Sequence, residues 1–93
     1  MTGYGKVKSA RLDAETLALR ALAFVVGDPA LGPRLLDLTG LDVATLRTRA
    51  ADPVLLGATL AFLEGHEASL LAAAEALDVP PKALVAAREA LGA

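Results

Sequence analysis

Residues 52–65 read DPVLLGATLAFLEG, and Thr59 is the only polar side chain between Pro53 and Leu63. Aspartate followed by proline is typical of a helix start, because the carboxylate accepts hydrogen bonds from first-turn amides and proline loses none there. Large apolar side chains then recur at helical spacing until Gly65. A helix that is apolar on all sides is normally buried on all sides. The segment therefore predicts a helix at the centre of a helical core.

Similar start signals recur along the chain. The pattern predicts helices over residues 14–26, 29–39, about 43–50, 53–64, 67–77 and 81–91. The second helix is expected to kink or restart near Gly32 and Pro33, since proline disturbs a helix interior. Four aspartates stand at predicted helix starts and are interpreted as N-terminal caps rather than catalytic acids: Asp13, Asp28, Asp42 and Asp52.

The composition also favours helices. Hydrophobic residues make up 55% of the chain and aromatic residues 3%, so the core consists mainly of Leu, Ala and Val, of which Leu and Ala are strong helix formers. No window shows the alternation and turn residues typical of strands. We predict an all-α fold, a compact bundle of five or six short helices with orthogonal or mixed packing. Residues 12–93 form the single domain, and residues 1–11 form a flexible basic arm.

Two predicted helices are unusually apolar for so small a domain. Besides 53–63, the segment 14–26 has polar side chains only at Glu15, Thr16 and Arg20. Either these helices bury each other, or an apolar face is left for a partner helix or a homodimer. The favoured function is a protein-interaction or adaptor domain that binds an unknown protein or a second copy. The candidate partner-binding residues are Phe24, Leu56, Leu60 and Phe62.

The residues that usually carry catalysis are sparse. The chain has no cysteine, and His66 is its single histidine. A zinc-protease helix needs a second histidine four residues later, where this chain has Leu70. Ser69 lies one helical turn from His66, but no oriented third group accompanies the two. We therefore predict a protein that is not an enzyme, with no catalytic, cofactor-binding or metal-binding residues and no cofactor.

Nucleic-acid binding is the alternative function. Residues 38–49 combine a helix end, a glycine turn and a short helix, as in a helix-turn-helix reader. However, Asp42 and Asp52 flank the second helix, and its two arginines point to nearly opposite sides at about 100° per residue. The net charge is −2, and residues 13–93 carry more acidic than basic side chains. This charge argues against nucleic acid as a partner. The residues concerned are Arg47, Thr48, Arg49, Lys6, Lys8 and Arg11.

Membrane insertion is not expected. The longest uncharged, mostly apolar stretch has eleven residues, whereas a spanning helix needs about 20. The opening residues, MTGYGK, have no apolar run after their charge, so they do not resemble a secretory signal. We therefore predict a cytoplasmic protein with no membrane partner.

The order of several short segments resembles a known family. The segments are LDAETLALRAL at 12–22, GDP at 27–29, LTGL at 38–41, LRTRAADP at 46–53 and LAFL at 60–63. Together they resemble a family of short all-helical proteins from alphaproteobacteria that is known only as a domain of unknown function. The resemblance covers about residues 12–91 and is weakest from Gly65 onward. It implies a bacterial cytoplasmic protein and supplies no activity, cofactor or site residue.

Overall fold

The computed structural model describes the backbone of residues 2–92 and the side chains of residues 13–92. Over that range the chain forms helices and no strand, so the predicted all-α fold is confirmed. In chain order the helices are α1 (Thr2–Gly27), α2 (Leu31–Thr39), α3 (Val43–Thr48), α4 (Pro53–Glu64), α5 (Glu67–Leu77) and α6 (Pro81–Ala90). None of these helices is by itself long and apolar enough to cross a membrane.

Helix α1 begins earlier than the sequence predicted. Its backbone is helical from Thr2, so Asp13 lies inside the helix and the predicted cap at Asp13 is wrong. Residues 2–12 contain no proline, and extending an existing helix by one residue is far easier than nucleating one. The side chains of Lys6, Lys8 and Arg11 lie outside the described residues, and the flexibility of residues 1–11 stays a prediction.

The predicted caps at Asp42 and Asp52 are confirmed. Asp42 Oδ1 accepts from the Thr45 amide at 2.7 Å. Asp52 Oδ1 accepts from the Val54 amide at 2.9 Å. Asp28 accepts from the last amide before α2 and from the first amide of α2, at 2.8 and 2.9 Å. The N-terminal cap residue of α2 lies two positions after Asp28, so the cap predicted there is not confirmed. Each carboxylate thus satisfies main-chain donors that have no partner within their own helix.

Helix α2 is one continuous helix from Leu31, so the break expected at Pro33 does not occur. Pro33 lies in the first turn, where an amide has no partner inside the helix, and its ring is therefore tolerated. Gly40 ends α2 in the left-handed conformation, with φ of 71°, and its amide donates to the Leu36 carbonyl at 2.8 Å. That conformation favours glycine because a Cβ atom is strained there.

The core lies around α1 and α4, which pack against each other. Helix α1 also packs on α2, α5 and α6, so the remaining helices surround this central pair. Thr59 is fully buried in α4, where its hydroxyl donates to the Leu55 carbonyl at 2.9 Å. The largest fully buried side chains are Val25, Leu35, Leu56, Thr59, Leu60, Leu63 and Leu84.

Candidate functional site

The four residues predicted to bind a partner do not form a surface. Leu56 and Leu60 are 2% and 0% exposed and belong to the core. Phe24 and Phe62 are half-buried and pack against that core. Leu60 has no exposed area for a partner to contact, so the prediction for Leu60 is wrong. Leu56 is almost fully buried but lines a depression beside α1, so its role stays a prediction. Helix α4 is apolar on several sides because most of its large side chains lie in the core.

An open apolar groove lies between the C-terminal half of α1 on one side and α3 with the turn that follows it on the other. Its volume is about 220 Å³. We call it the α1–α3 groove. The wall residues from α1 are Leu19, Leu22, Ala23 and Val26, and those from α3 and the turn after it are Val43, Leu46, Arg47 and Ala50.

The spacing of the wall residues explains why they share the groove. On α1 they stand at i, i+3, i+4 and i+7, the positions that fall on one face of a helix. On α3 the first three stand at i, i+3 and i+4, and Ala50 follows in the next turn. Each helix therefore presents one continuous stripe to the groove. The stripes are apolar except at Arg47.

The groove has a buried floor and exposed crests. Leu22 and Leu46, on opposite sides, are 4% and 2% exposed and anchor the floor in the core. The side chains at the exposed edge of the groove are Leu19, Val43 and Val26, which are 47%, 41% and 37% exposed. We call these three the crest residues. Three large, partly exposed apolar side chains thus surround one depression.

A second depression continues the groove toward the N-terminal half of α1. It includes Glu15 and Thr16, and it shares Leu19 and Ala50 with the α1–α3 groove. The combined cleft runs along α1 from Glu15 to Val26. At 1.5 Å per residue this is about 16 Å, or three helical turns.

The residues predicted to bind nucleic acid do not form a basic patch on α3. Arg47 is exposed and lines the α1–α3 groove. Thr48 donates its hydroxyl proton to the Ala44 carbonyl at 3.0 Å. Arg49 is the C-terminal cap residue of α3, and its guanidinium lies 3.3 Å from the Asp52 carboxylate. The three side chains thus have three different environments.

The carboxylates that flank α3 are held in the charged form. The pKa of Asp42 is lowered by the hydrogen bond from the Thr45 amide, with a further contribution from the Thr45 side chain. The pKa of Asp52 is lowered by the Val54 amide and then by Arg49. Hydrogen bonds to a carboxylate favour its ionised state. Both acids therefore cap helix starts and stay negatively charged on either side of α3.

A third concave region surrounds the start of α5. It has a volume of about 370 Å³ and is lined by Arg34, Leu38, Ala61, Phe62, Gly65, His66 and Ser69. His66 Nδ1 lies 2.7 Å from Ser69 Oγ, three residues apart at the first turn of α5. His66 is the N-terminal cap residue of α5, but its side chain makes no capping hydrogen bond. Among the described side chains, no three His, Asp or Glu residues are grouped to hold a metal ion.

The sequence reasoning missed Leu19, Val26 and Val43, although a signal for them was present. Leu19 and Val26 belong to the i, i+3, i+4, i+7 series that ends at Gly27, and Val43 follows the Asp42 cap. The segment 14–26 is apolar on several faces, so periodicity alone does not tell which face its neighbours cover. Packing of α1 against α2, α4, α5 and α6 covers other faces and leaves this one open.

Comparison with known proteins matches the chain to a family. The family described as "Protein of unknown function (DUF3572)" matches residues 11–93, nearly the whole chain. The searches of curated proteins and of solved structures found no match. The predicted resemblance is thereby confirmed as far as a family of unknown function. The family match assigns no function to the chain.

Proposed function

Because the chain belongs to the DUF3572 family, whose function is unknown, we propose from the geometry of the α1–α3 groove that it is a protein-interaction domain. In this role it holds an amphipathic helix of a protein partner. We place the interaction in the bacterial cytoplasm, as the resemblance of residues 12–91 to alphaproteobacterial proteins implies. The proposal assigns no catalysis to the chain.

A single observation supports the proposal. The groove is built from one stripe on each of two helices, and its crest residues Leu19, Val26 and Val43 are left partly exposed. A helix that lays its apolar face between two such stripes buries them, as in other helix-in-groove complexes. The cleft, about three turns long, accommodates about eleven residues of a partner helix.

The exposed area sets the expected strength of binding. Complete burial of a Val or Leu side chain contributes roughly 1.5–3 kcal/mol. The three crest residues are already more than half buried, so each adds roughly 1 kcal/mol on docking. Loss of rotational and translational freedom opposes that gain. The roughly 3 kcal/mol from these three residues is well below the roughly 8 kcal/mol of a micromolar complex, so we expect weak, reversible binding.

Self-association and nucleic-acid binding are the competing functions. A homodimer would use the same crest residues, so the experiment below distinguishes it by mass. Nucleic-acid binding through Arg47, Thr48 and Arg49 stays a prediction. The six-residue length of α3 and the pairing of Arg49 with Asp52 argue against it, because a recognition helix needs free side chains along the groove of the duplex.

A photo-crosslinking experiment in the producing cell tests the proposal. The photoreactive residue p-benzoylphenylalanine replaces Leu19 in one variant and Leu71 of α5 in another. The two leucines are 47% and 48% exposed, so Leu71 is a matched control outside the groove. We expect a defined crosslinked product from position 19 and none from position 71. The product should weaken when Val43→Glu is added, since a charge at the crest opposes apolar docking.

Two results would contradict the proposal. One is an absence of product at position 19, and the other is the same set of products at both positions. A product with twice the chain mass of 9.5 kDa would instead identify a second copy as the occupant of the groove.

A further inference from the structure

One wall of the α1–α3 groove carries a positive charge, that of Arg47 in α3. We infer that the helix it binds is acidic, carrying an Asp or Glu beside its apolar stripe that pairs with Arg47. This inference rests on the proposed function, because it specifies the partner of the same groove. It follows from the placement of Arg47, from the lack of a partner for its guanidinium, and from the consequences of docking.

Arg47 is the charged member of the two stripes. It stands four residues after Val43 and one after Leu46, so its side chain leaves α3 on the groove side. An arginine side chain has a long apolar stem and a charged end. The stem thus extends the apolar wall, while the guanidinium lies at its exposed edge.

Within residues 13–92 the Arg47 guanidinium has neither a hydrogen-bond acceptor nor a carboxylate partner. Among the other arginines with described side chains, three have a partner, and Arg34, outside the groove, has none. Arg49 pairs with Asp52 at 3.3 Å, Arg88 pairs with Glu64, and Arg20 donates to a main-chain carbonyl. The residues that line the α1–α3 groove include no acid, and the acid of the combined cleft, Glu15, lies in the second depression. Arg47 is therefore available to a group that arrives with the partner.

Docking of a helix in the groove changes the surroundings of the Arg47 guanidinium. The helix displaces water from the groove and partly desolvates the guanidinium, which is unfavourable unless a counter-charge replaces the water. A carboxylate matches the planar guanidinium with two parallel hydrogen bonds. A lysine on the partner at the same place would be repelled, so Arg47 both attracts the right helix and disfavours a basic one.

The charge of the rest of the chain does not contradict this preference. The chain carries a net charge of −2, but interactions between exposed charges fade over a Debye length of about 8 Å at physiological salt. The acid next to Val43 is Asp42, whose carboxylate caps α3. Arg47 is thus the charged side chain that lines the α1–α3 groove itself.

Selection from a phage-displayed library of helical peptides tests the inference. The library keeps one helical scaffold and varies its surface positions, so any apolar or charged pattern can emerge. It is selected in parallel on the wild-type chain, on Arg47→Glu and on Arg34→Glu. Arg34 is an exposed arginine outside the groove, and it serves as the matched control. Peptides that also bind Leu19→Glu are discarded, and Leu71→Glu controls for that substitution.

We expect wild-type selection to enrich peptides with an apolar i, i+3, i+4, i+7 stripe and Asp or Glu at one adjoining position. Selection on Arg47→Glu should enrich Lys or Arg at that position, while Arg34→Glu should repeat the wild-type result. For one synthesised acidic peptide, Arg47→Glu should weaken binding about tenfold, in the range measured for interfacial charge pairs. Raised salt should reduce that difference.

The outcomes separate the inference from the proposed function. Groove-dependent peptides without an acidic preference, or with an unchanged preference on Arg47→Glu, overturn the inference and leave the proposed function standing. Failure to enrich any peptide that depends on Leu19 overturns both. Sedimentation of the wild-type chain as a dimer that Leu19→Glu dissociates assigns the groove to a second copy and also overturns the inference. Circular dichroism of each variant confirms that it is folded.

Discussion

The guanidinium of Arg20 in α1 donates a hydrogen bond to the main-chain carbonyl of Leu77, the last residue of α5, at 3.2 Å. The last carbonyls of a helix accept no hydrogen bond from an amide of the same helix. A cation at this end also interacts favourably with the helix dipole. A side chain at the middle of α1 thus holds the end of a helix that lies 57 residues away in sequence.

Replacing Arg20 tests this contact. We expect Arg20→Ala to lower the free energy of unfolding by about 0.5–1.5 kcal/mol, the usual range for one such hydrogen bond. Urea denaturation followed by circular dichroism measures the change. Arg34→Ala, at an exposed arginine with no hydrogen bond among the described residues, is the control and should be neutral. Equal losses for the two variants would refute a structural role for the Arg20 contact.

The close approach of α2 to α1 gives a second prediction. A Cβ atom on Gly32 would lie 3.1 Å from the Val26 carbonyl oxygen and 3.3 Å from that of Val25, whereas Gly27 has open space around it. We expect Gly32→Ala to destabilise the chain by about 1 kcal/mol, since main-chain atoms must shift. Gly27→Ala should be neutral or slightly stabilising. Thermal unfolding of the two variants decides, and a stabilised Gly32→Ala chain would contradict the packing.

Core and groove leucines should respond very differently to truncation. Leu60→Ala removes a fully buried side chain and should cost roughly 2–5 kcal/mol of stability, because a cavity is left behind. Leu19→Ala removes a side chain that is 47% exposed and should change stability by less than about 1 kcal/mol. Guanidinium unfolding of both variants measures the difference. A large loss at Leu19 would mean that the groove crest belongs to the core.

Acid sensitivity should depend in part on the two caps beside α3. The folded state lowers the pKa of Asp42 and Asp52, so their stabilising contribution is complete above the ordinary aspartate range. It is lost as pH falls below about 4 and through the lowered values. Asparagine keeps a capping oxygen but does not titrate in this range.

The double variant Asp42→Asn/Asp52→Asn should therefore show a shallower decline of the melting temperature between about pH 5 and pH 2. Asp37→Asn is the control, because Asp37 is exposed in the interior of α2 and forms no hydrogen bond or ion pair within residues 13–92. An unchanged decline in the double variant would show that these carboxylates do not contribute to acid unfolding.

The starts of α3, α4 and α5 could be predicted because their signals are local. The carboxylates of Asp42 and Asp52 accept amides within three residues, and α5 covers 67–77 as the pattern indicated. The start of α1 could not be predicted in the same way. Asp13 carries the same signal, but nothing in residues 2–12 interrupts the helix, which continues through it.

The groove could not be placed from the sequence because it depends on which faces the other helices cover. Leu60 and Leu19 are the same residue type within two similarly apolar segments. One is fully buried and the other is nearly half exposed. The difference arises from the packing of α1 and α4 among their neighbours, which involves contacts between residues far apart in sequence.

The two helices that form the walls of the groove are anchored in the core to different extents. On the described part of α1, Ala14, Ala18, Ala21, Leu22 and Val25 are buried, whereas α3 has one buried residue, Leu46. Opening of α3 therefore breaks few apolar contacts, and its amide hydrogens should exchange with solvent before those of residues 14–25. A rigid side facing a yielding side lets the cleft adjust its width to the side chains it receives. Under the proposed function, such a groove would accept related helices with side chains of different size.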